Sequence, residues 1–160
     1  MSHEPEYIEI LADSLKKKLN ILKEISRLSA EQKKLIQEER LDLEAFSGFV
    51  EKKGECIDTL NNLDSGFQKI FDRVKDILTE QPEEYKEQIA EMKRLIAEIM
   101  QLSMSIQAEE ERNKEAIKAH FSKLKKEARQ IKNSQQAIQS YYNTMNKIDL
   151  TDAQFLDKKK

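Results

Sequence analysis

The sequence predicts an all-α fold, an elongated antiparallel bundle or coiled coil of three long helices, with the third either straight or bent into two. Two observations carry this prediction. The 160 residues contain only three Gly and two Pro among many Glu, Lys, Leu, Ile and Gln, a composition typical of long helices. Large apolar residues also recur at steps of three and four, the spacing that places them on one face of a helix.

The first helix is predicted to begin at Pro5, because proline suits the first helical turn. Glu4 and Glu6 place negative charge at the positive end of the helix dipole. The apolar stripe of this helix, in which one glutamine takes an apolar position, consists of Ile8, Leu11, Leu15, Leu19, Leu22, Ile25, Leu28, Gln32 and Leu35. Asp42 then provides a side chain suited to cap the start of the next helix.

The second helix has the most regular pattern in the chain. Its main stripe consists of Leu43, Phe46, Val50, Lys53, Ile57, Leu60, Asp64, Phe67, Phe71, Val74 and Leu78. A second line, spaced by sevens, consists of Phe49, Cys56, Leu63, Ile70 and Ile77. Together the two lines form a face broad enough to pack against two neighbouring helices. Gly48, Gly54 and Gly66 either permit close helix contact or mark a softer element, since each costs about 1 kcal/mol relative to Ala.

The third helix is predicted to begin at Pro82, with Glu83 and Glu84 in its first turn. Its stripe is interrupted at residues 107–115 and consists of Ile89, Met92, Ile96, Ile99, Ser103, Ile106, Ile117, Phe121, Leu124, Ala128, Ile131, Gln135, Ile138, Tyr142 and Met145. An unbroken helix of about 60 residues would be roughly 90 Å long, against about 50 Å for each of the others. It therefore either overhangs them or bends near residues 109–113.

The charge balance and the cysteine count limit the classes of partner. With 28 basic and 30 acidic residues, the chain has no basic excess to attract nucleic acid. The N-terminus lacks the basic start and apolar core of a signal peptide, and no apolar run approaches the roughly 20 residues that span a bilayer. The single cysteine, Cys56, forms no internal disulfide, which suits a reducing compartment. We therefore expect a cytoplasmic protein with no membrane insertion.

No arrangement of residues points to catalysis, a metal or a cofactor. His3 and His120 lack the Glu-x-x-His pattern of di-iron bundles. The acidic run at residues 109–111 is interpreted as a solvated face balanced by neighbouring basic residues. Cys56 lies in the second apolar line of the second helix and is interpreted as a small core residue. The sequence therefore predicts a protein that is not an enzyme and holds no cofactor.

Polar residues also lie on the apolar stripes themselves. Lys53 and Asp64 occupy stripe positions in the second helix, and Asn113 lies where the stripe of the third helix is interrupted. Polar residues at such positions fix register or partner number at some cost in stability. Alternatively, they are simply exposed, or they mark a thin part of the core where another helix can enter.

The C-terminal segment is unusually apolar for the end of a polar chain. Its large side chains are Tyr141, Tyr142, Met145, Ile148, Leu150, Phe155 and Leu156. Terminal segments are usually solvated, so these residues either fold back onto the bundle or offer an amphipathic segment to a partner helix. A chain of this length is typical of one domain. We expect residues 1–147 to form the helical bundle and residues 148–160 to form a flexible tail.

Four stretches are similar to a known family. The first helix ends in "QKKLIQEERLDLEAF", "FVEKKGECIDTLNNLDSGF" follows, the third helix carries "EEERNKEAIKAHFSKLKKEA", and the chain closes on "SYYNTMNKIDLTDAQFLDKKK". These stretches resemble the FlgN-like flagellar export chaperones, in the form found in clostridia-like, Gram-positive bacteria. The resemblance covers most of the chain. Its most distinctive parts are the tyrosine-bearing helix end and the terminal "FLDKKK".

The resemblance implies a role for the C-terminal residues. Such chaperones are cytoplasmic, bind C-terminal helices of the hook–filament junction (hook-associated) proteins, prevent premature assembly and deliver these subunits to the type III export gate. The resemblance places the subunit-binding surface on Ile131, Ile138, Met145, Ile148, Leu150, Phe155 and Leu156. It also implies that a tyrosine near this surface docks at the gate, for which Tyr141 and Tyr142 are both candidates.

A second functional hypothesis is a structural scaffold, a coiled coil that self-associates. The two apolar lines of the second helix favour it, because they offer more apolar surface than one seam uses. The polar interruption at residues 107–115 weakens it. A homodimer of the chaperone is a further open alternative.

Overall fold

The computed structural model describes residues 3–123 and 134–145. It contains three long helices, α1 (Glu4–Gln37), α2 (Leu43–Glu80) and α3 (Lys86–Lys123). A fourth helix, α4, comprises residues 134–145. The described ranges contain no strand. The predicted all-α bundle is therefore confirmed.

The helices run up, down and up, with α1 in the centre. α1 packs along both α2 and α3, whereas α2 and α3 hardly contact each other directly. The Lys18 ammonium lies 2.7 Å from the Asp64 carboxylate, and the Arg73 guanidinium donates to the Tyr7 hydroxyl, so numbers on α2 fall as those on α1 rise. Lys16 pairs with Glu91 at 3.2 Å and Ser29 contacts Glu110, so numbers on α3 rise with those on α1. The order of these contacts makes α1 antiparallel to α2.

The predicted start of α2 is confirmed, and the predicted start of α3 is wrong. Asp42 caps α2, because its carboxylate accepts a hydrogen bond from the Ala45 amide at 3.0 Å. The third helix was predicted to begin at Pro82, but residues 82–85 form a turn and α3 begins at Lys86. Tyr85 is buried, and its carbonyl accepts the first hydrogen bond, from the Ile89 amide at 2.8 Å. Burial of this ring fixes the start of α3 one turn later than the proline.

The interruption of the third stripe does not bend the helix. Residues 107–115 are helical throughout, and α3 runs without a break to Lys123. Two polar residues of that interval, Glu110 and Asn113, are buried and continue the inward face between Ile106 and Ile117. Residues 124–133 lie outside the described ranges, as do residues 148–160 of the predicted tail.

The core is formed by the predicted stripes. Its largest fully buried apolar side chains are Phe46, Ile8, Leu11, Leu22, Ile25, Leu28, Ile57, Leu60, Met92, Ile106 and Ile117. The second line of α2, by contrast, is only half-buried along its length. The main stripe of α2 therefore contributes to the core, and the second line lies at its edge.

The glycines of α2 are not required for close packing in the described structure. A methyl group added at Gly48, Gly54 or Gly66 would meet no atom within 4 Å, and no described glycine has a positive φ. We expect Gly48→Ala and Gly66→Ala each to raise the free energy of unfolding by about 1 kcal/mol, because alanine loses less backbone entropy in a helix. Urea denaturation followed by circular dichroism measures the change.

The control substitution is expected to change the free energy of unfolding in the opposite direction. Ala108 is an exposed residue in the middle of α3, so Ala108→Gly should lower the free energy of unfolding by about the same amount. A loss of stability in either alanine variant would contradict the expectation. It would mean that the glycine itself is needed at that position.

Candidate partner-binding site

Helix α4 presents one large, uncharged face to the bundle. Ile138, Tyr141, Tyr142 and Met145 are spaced three, one and three residues apart, which places them on the same side of a helix. All four are buried. Residues 134–145 contain no Asp, Glu, Lys or Arg. α4 therefore has the character of an amphipathic segment that packs with apolar and aromatic groups alone.

A buried ion pair lies beneath this face. The Lys53 ammonium, from α2, donates to both oxygens of the Glu110 carboxylate, from α3, at 2.7 and 2.9 Å. The two side chains are 0% and 3% exposed. Burial lowers the pKa of Lys53, and the neighbouring carboxylate opposes that shift. The pair thus connects two helices that hardly touch elsewhere.

The first helix completes this polar layer. The Ser29 hydroxyl donates to the Glu110 carboxylate and accepts a hydrogen bond from Lys53 at 3.3 Å. The Asn113 amide donates to the Ser29 carbonyl at 3.1 Å. Ser29, Lys53, Glu110 and Asn113, which we call the polar layer, therefore join all three long helices at one level. The ammonium and carboxylate of the pair have their hydrogen bonds satisfied without α4.

The two tyrosines cover the polar layer with their rings. The Lys53 ammonium lies 4.3 Å from the ring centroid of Tyr141 and 5.9 Å from that of Tyr142, within the range of a cation–π interaction. The rings meet edge to face at 5.4 Å. Neither hydroxyl has a hydrogen-bond partner within the described residues, although both are buried. Burial raises the pKa of both tyrosines, and the negative charge of Glu110 raises it further.

The outer edge of α4 is less closely packed. A groove of about 390 Å³ separates α4 from α2. Small residues line it, among them Gly54, Ala137 and Ser140, together with the acidic residues Glu51 and Glu55. α4 is therefore held mainly through its inward face and not along this edge.

The structure brings together the predicted site residues that it describes. Ile138 and Met145, predicted to bind the exported subunit, share the inward face of α4 with the predicted gate-docking residues Tyr141 and Tyr142. The other predicted binding residues lie outside the described ranges and are Ile131, Ile148, Leu150, Phe155 and Leu156. The binding and docking roles of all these residues stay predictions.

Glu110, at the centre of the polar layer, was not predicted to be a site residue. The run at residues 109–111 was interpreted as a solvated face, but Glu110 is only 2% exposed. The spacing does place Glu110 on the inward face, because Ile106, Glu110, Asn113 and Ile117 follow one another at steps of four, three and four. Burial of this carboxylate is costly in free energy unless a positive charge lies close to it, and here Lys53 on another helix offsets that cost.

Other polar groups have local roles. Asp64, the second polar residue on the main stripe of α2, pairs with Lys18 of α1. His120 is half-buried, and its Nε2 lies 3.1 Å from the Ile36 carbonyl oxygen. Cys56 is half-buried rather than part of the core, and burial raises the pKa of its thiol. In the described ranges, no three His, Cys, Asp or Glu side chains converge in a way that could hold a metal ion.

Comparison with known families assigns the chain. The FlgN protein family matches residues 1–148, which include α1 to α4. This family consists of flagellar export chaperones, not of enzymes. No curated protein and no solved structure matches the chain. None of the helices in the described ranges has the length and apolar character that a bilayer-spanning segment requires. Because the family match extends over most of the sequence, the chain belongs to the FlgN family.

Proposed function

We propose that this chain is a cytoplasmic export chaperone for the hook–filament junction proteins of the flagellum. It binds their C-terminal helices, prevents premature assembly and delivers the subunits to the export gate. The family supports the general role. The observation that carries the specific proposal is the inward face of α4, an uncharged, buried surface whose tyrosine rings lie over Lys53.

The proposed binding surface combines residues of α4 with residues that precede and follow it in the sequence. Ile138 and Met145 form its described part, and Ile131 precedes it. The apolar residues of the tail, Ile148, Leu150, Phe155 and Leu156, continue it. A junction protein polymerises through amphipathic helices, which need cover before assembly. Apolar anchors in an amphipathic segment are suited to cover such a helix.

The proposed docking residues are Tyr141 and Tyr142. A tyrosine ring suits docking, because it is broad and stiff and loses little entropy on binding. Both rings are buried against the polar layer in the structure. Docking at the export gate through either ring therefore requires α4 to move away from the bundle.

Capture from a flagellated lysate tests the proposal. Truncation after Gln139 would remove the tail, but it would also remove Tyr141, Tyr142 and Met145 from the core. Substitutions in the tail therefore test binding without disturbing the fold. We expect full-length protein to capture hook–filament junction proteins, and a bait with Leu150→Ala, Phe155→Ala and Leu156→Ala to lose at least about tenfold in affinity, since each anchor contributes roughly 1.5–3 kcal/mol.

A matched control changes the same tail without removing its anchors. Alanine at residues 158–160 removes three positive charges and leaves the apolar residues in place. This bait should capture as well as the full-length chain. If no bait enriches any flagellar subunit under conditions where the chain is folded, the proposal is wrong.

A self-associating scaffold is the second candidate function. The half-buried second line of α2 favours it, because Phe49, Cys56, Leu63, Ile70 and Ile77 repeat at sevens along one edge of the bundle. Light scattering of the purified chain distinguishes the two. A scaffold forms a defined oligomer without partners, and a chaperone does not need one.

A further inference from the structure

The groove between α2 and α4 has one acidic wall and one uncharged wall. On the α2 side, the exposed residues Glu51, Glu55 and Asp58 recur at steps of four and three, which places their carboxylates in one row along the groove. On the other side, residues 134–145 contain no Lys or Arg that could pair with this row. None of the three carboxylates forms an ion pair with another residue of the described ranges. The carboxylate row is therefore open to a basic segment.

The floor of this groove is apolar. Val50 and Ile57 of α2 and Tyr141 of α4 line it, and all three are buried. Gly54 lies between the two α2 residues in the sequence, and a methyl group added there would meet no atom within 4 Å. The groove, of about 390 Å³, therefore has room for side chains between its walls. It suits a segment that carries apolar side chains close to positive charge.

The C-terminal residues of this chain have that composition. Phe155 and Leu156 lie close in sequence to three consecutive lysines, residues 158–160. Three residues span about 10 Å when extended, and the carboxylate row is also about 10 Å long at a rise of about 1.5 Å per residue. The lysines and the carboxylates therefore match in number, length and sign of charge.

The chain is also long enough to bring these residues to the groove. Thr144 is the last residue of α4 that lines the groove, and residues 146–160 follow shortly after it. Residues 146–157 span at most about 40 Å when extended, whereas the groove covers about 10 Å of α4. A segment on so short a tether is present at an effective concentration in the millimolar range, so weak contacts suffice to hold it.

From these matches we propose that the groove between α2 and α4 is the docking site of the chain's own C-terminal segment. The lysines at residues 158–160 pair with the carboxylate row, and Phe155 and Leu156 cover the apolar floor. Docking removes these large apolar side chains from water in the free chain. Exposed ion pairs contribute little in water, so the segment exchanges readily, and the alanine bait at residues 158–160 still captures partners as expected above. The inference goes beyond the proposed function and does not depend on it.

Carbodiimide cross-linking of the full-length chain without partners tests the docking, because the reagent joins a lysine amine to a carboxylate that is in contact with it. After proteolysis, mass spectrometry should find residues 158–160 joined to the α2 peptide that carries the carboxylate row. Glu111 and Glu115 are the matched control, since both are exposed and the charge of Glu111 acts on Tyr142, on the α3 side of α4. Per carboxylate, we expect at least about tenfold more cross-link to the α2 row than to this control pair.

Salt and charge variants test what holds the segment. Raising the salt concentration from about 0.1 to 1 M shortens the Debye length from about 10 to 3 Å and should lower the yield of cross-link severalfold. Chymotrypsin cleavage after Phe155 gives a second measurement. The variant Glu51→Gln/Glu55→Gln/Asp58→Asn should be cleaved there at least about threefold faster than the unmodified chain, since the segment is then docked less often. The control variant Glu111→Gln/Glu115→Gln should be cleaved at the unmodified rate.

Two kinds of result would overturn the inference. Equal or absent cross-linking on both sides of α4, or equal cleavage of all three folded proteins, would mean that the segment does not dock in the groove. Cross-links between ordinary and isotope-labelled chains in a mixture would mean that the segment docks on a second copy and not on its own chain. Because no flagellar subunit is present, these results do not depend on whether the proposed function holds.

Discussion

Replacement of Glu110 by leucine is expected to lower the free energy of unfolding by about 3–5 kcal/mol, because it leaves the Lys53 charge buried without its partner. The Lys53 side chain is 0% exposed and donates to both oxygens of that carboxylate. Water cannot reach the ammonium to replace the lost interaction while the chain stays folded. Urea denaturation monitored by circular dichroism measures the loss.

Two controls separate the effect of the buried pair from that of the acidic run at residues 109–111, in which Glu110 lies. Glu111 is the next residue and is exposed, so Glu111→Leu should change stability by about 0.5 kcal/mol or less. The double variant Lys53→Met/Glu110→Leu should recover the stability of the unmodified chain to within about 1 kcal/mol or exceed it, because it buries no charge. Equal losses at Glu110 and Glu111 would show that the pair contributes nothing specific.

A loss of stability at alkaline pH is the second large effect that we expect. In the unfolded chain the tyrosines ionise near pH 10, about their ordinary pKa. In the folded chain, burial and the Glu110 charge raise the pKa of Tyr141 and Tyr142, so both stay protonated. The folded state then binds more protons, and stability falls as pH rises above 10. Each tyrosine contributes about 1.4 kcal/mol per pH unit, or roughly 2.7 kcal/mol for both.

Lys53 changes stability with pH in the opposite direction, and it does not obscure the effect of the tyrosines. Its pKa is lowered in the folded chain, so its linkage raises stability with pH only up to the unfolded value of 10.5. Above that value its contribution is constant. Measurements between about pH 10.5 and 11.5 therefore report the tyrosines, together with smaller contributions from Tyr85 and Cys56, whose pKa values are also raised.

The variant Tyr141→Phe/Tyr142→Phe isolates the two hydroxyls. It should remove most of the alkaline slope while the contributions of Tyr85, Cys56 and the surface lysines stay the same. Urea titrations at several pH values give the slope for both proteins. Tyrosinate absorbance of the folded chain provides a second reading, and ionisation of all four tyrosines near pH 10 would contradict the buried placement of α4.

Local regularity explains why most of the fold could be predicted. The steps of three and four place Ile8 to Leu28 and Phe46 to Val74 on inward faces without any knowledge of their neighbours, and these residues are largely buried. Asp42 was recognised as a cap because capping depends on the adjacent amides alone. The start of α3 was placed too early, because the burial of Tyr85 is a tertiary effect.

The candidate site could be predicted only in part. The spacing of Ile138, Tyr141, Tyr142 and Met145 identified one face of a helix, but not what that face would meet. Lys53 was recognised as an unusual stripe residue without a partner. Glu110 was assigned to the surface because its neighbours Glu109 and Glu111 are acidic as well, and a run of like charges is usually solvated.

The helical character of the chain and its apolar stripes could be predicted from residue spacing, since both depend on residues close together along the chain. The contact between Lys53 and Glu110, 57 positions apart, and the two tyrosine rings over it became visible in the folded chain. Neither could be predicted, because the register between α2, α3 and α4 follows from the packing of all the helices together. A buried charge becomes tolerable only where that register brings its partner within hydrogen-bond distance.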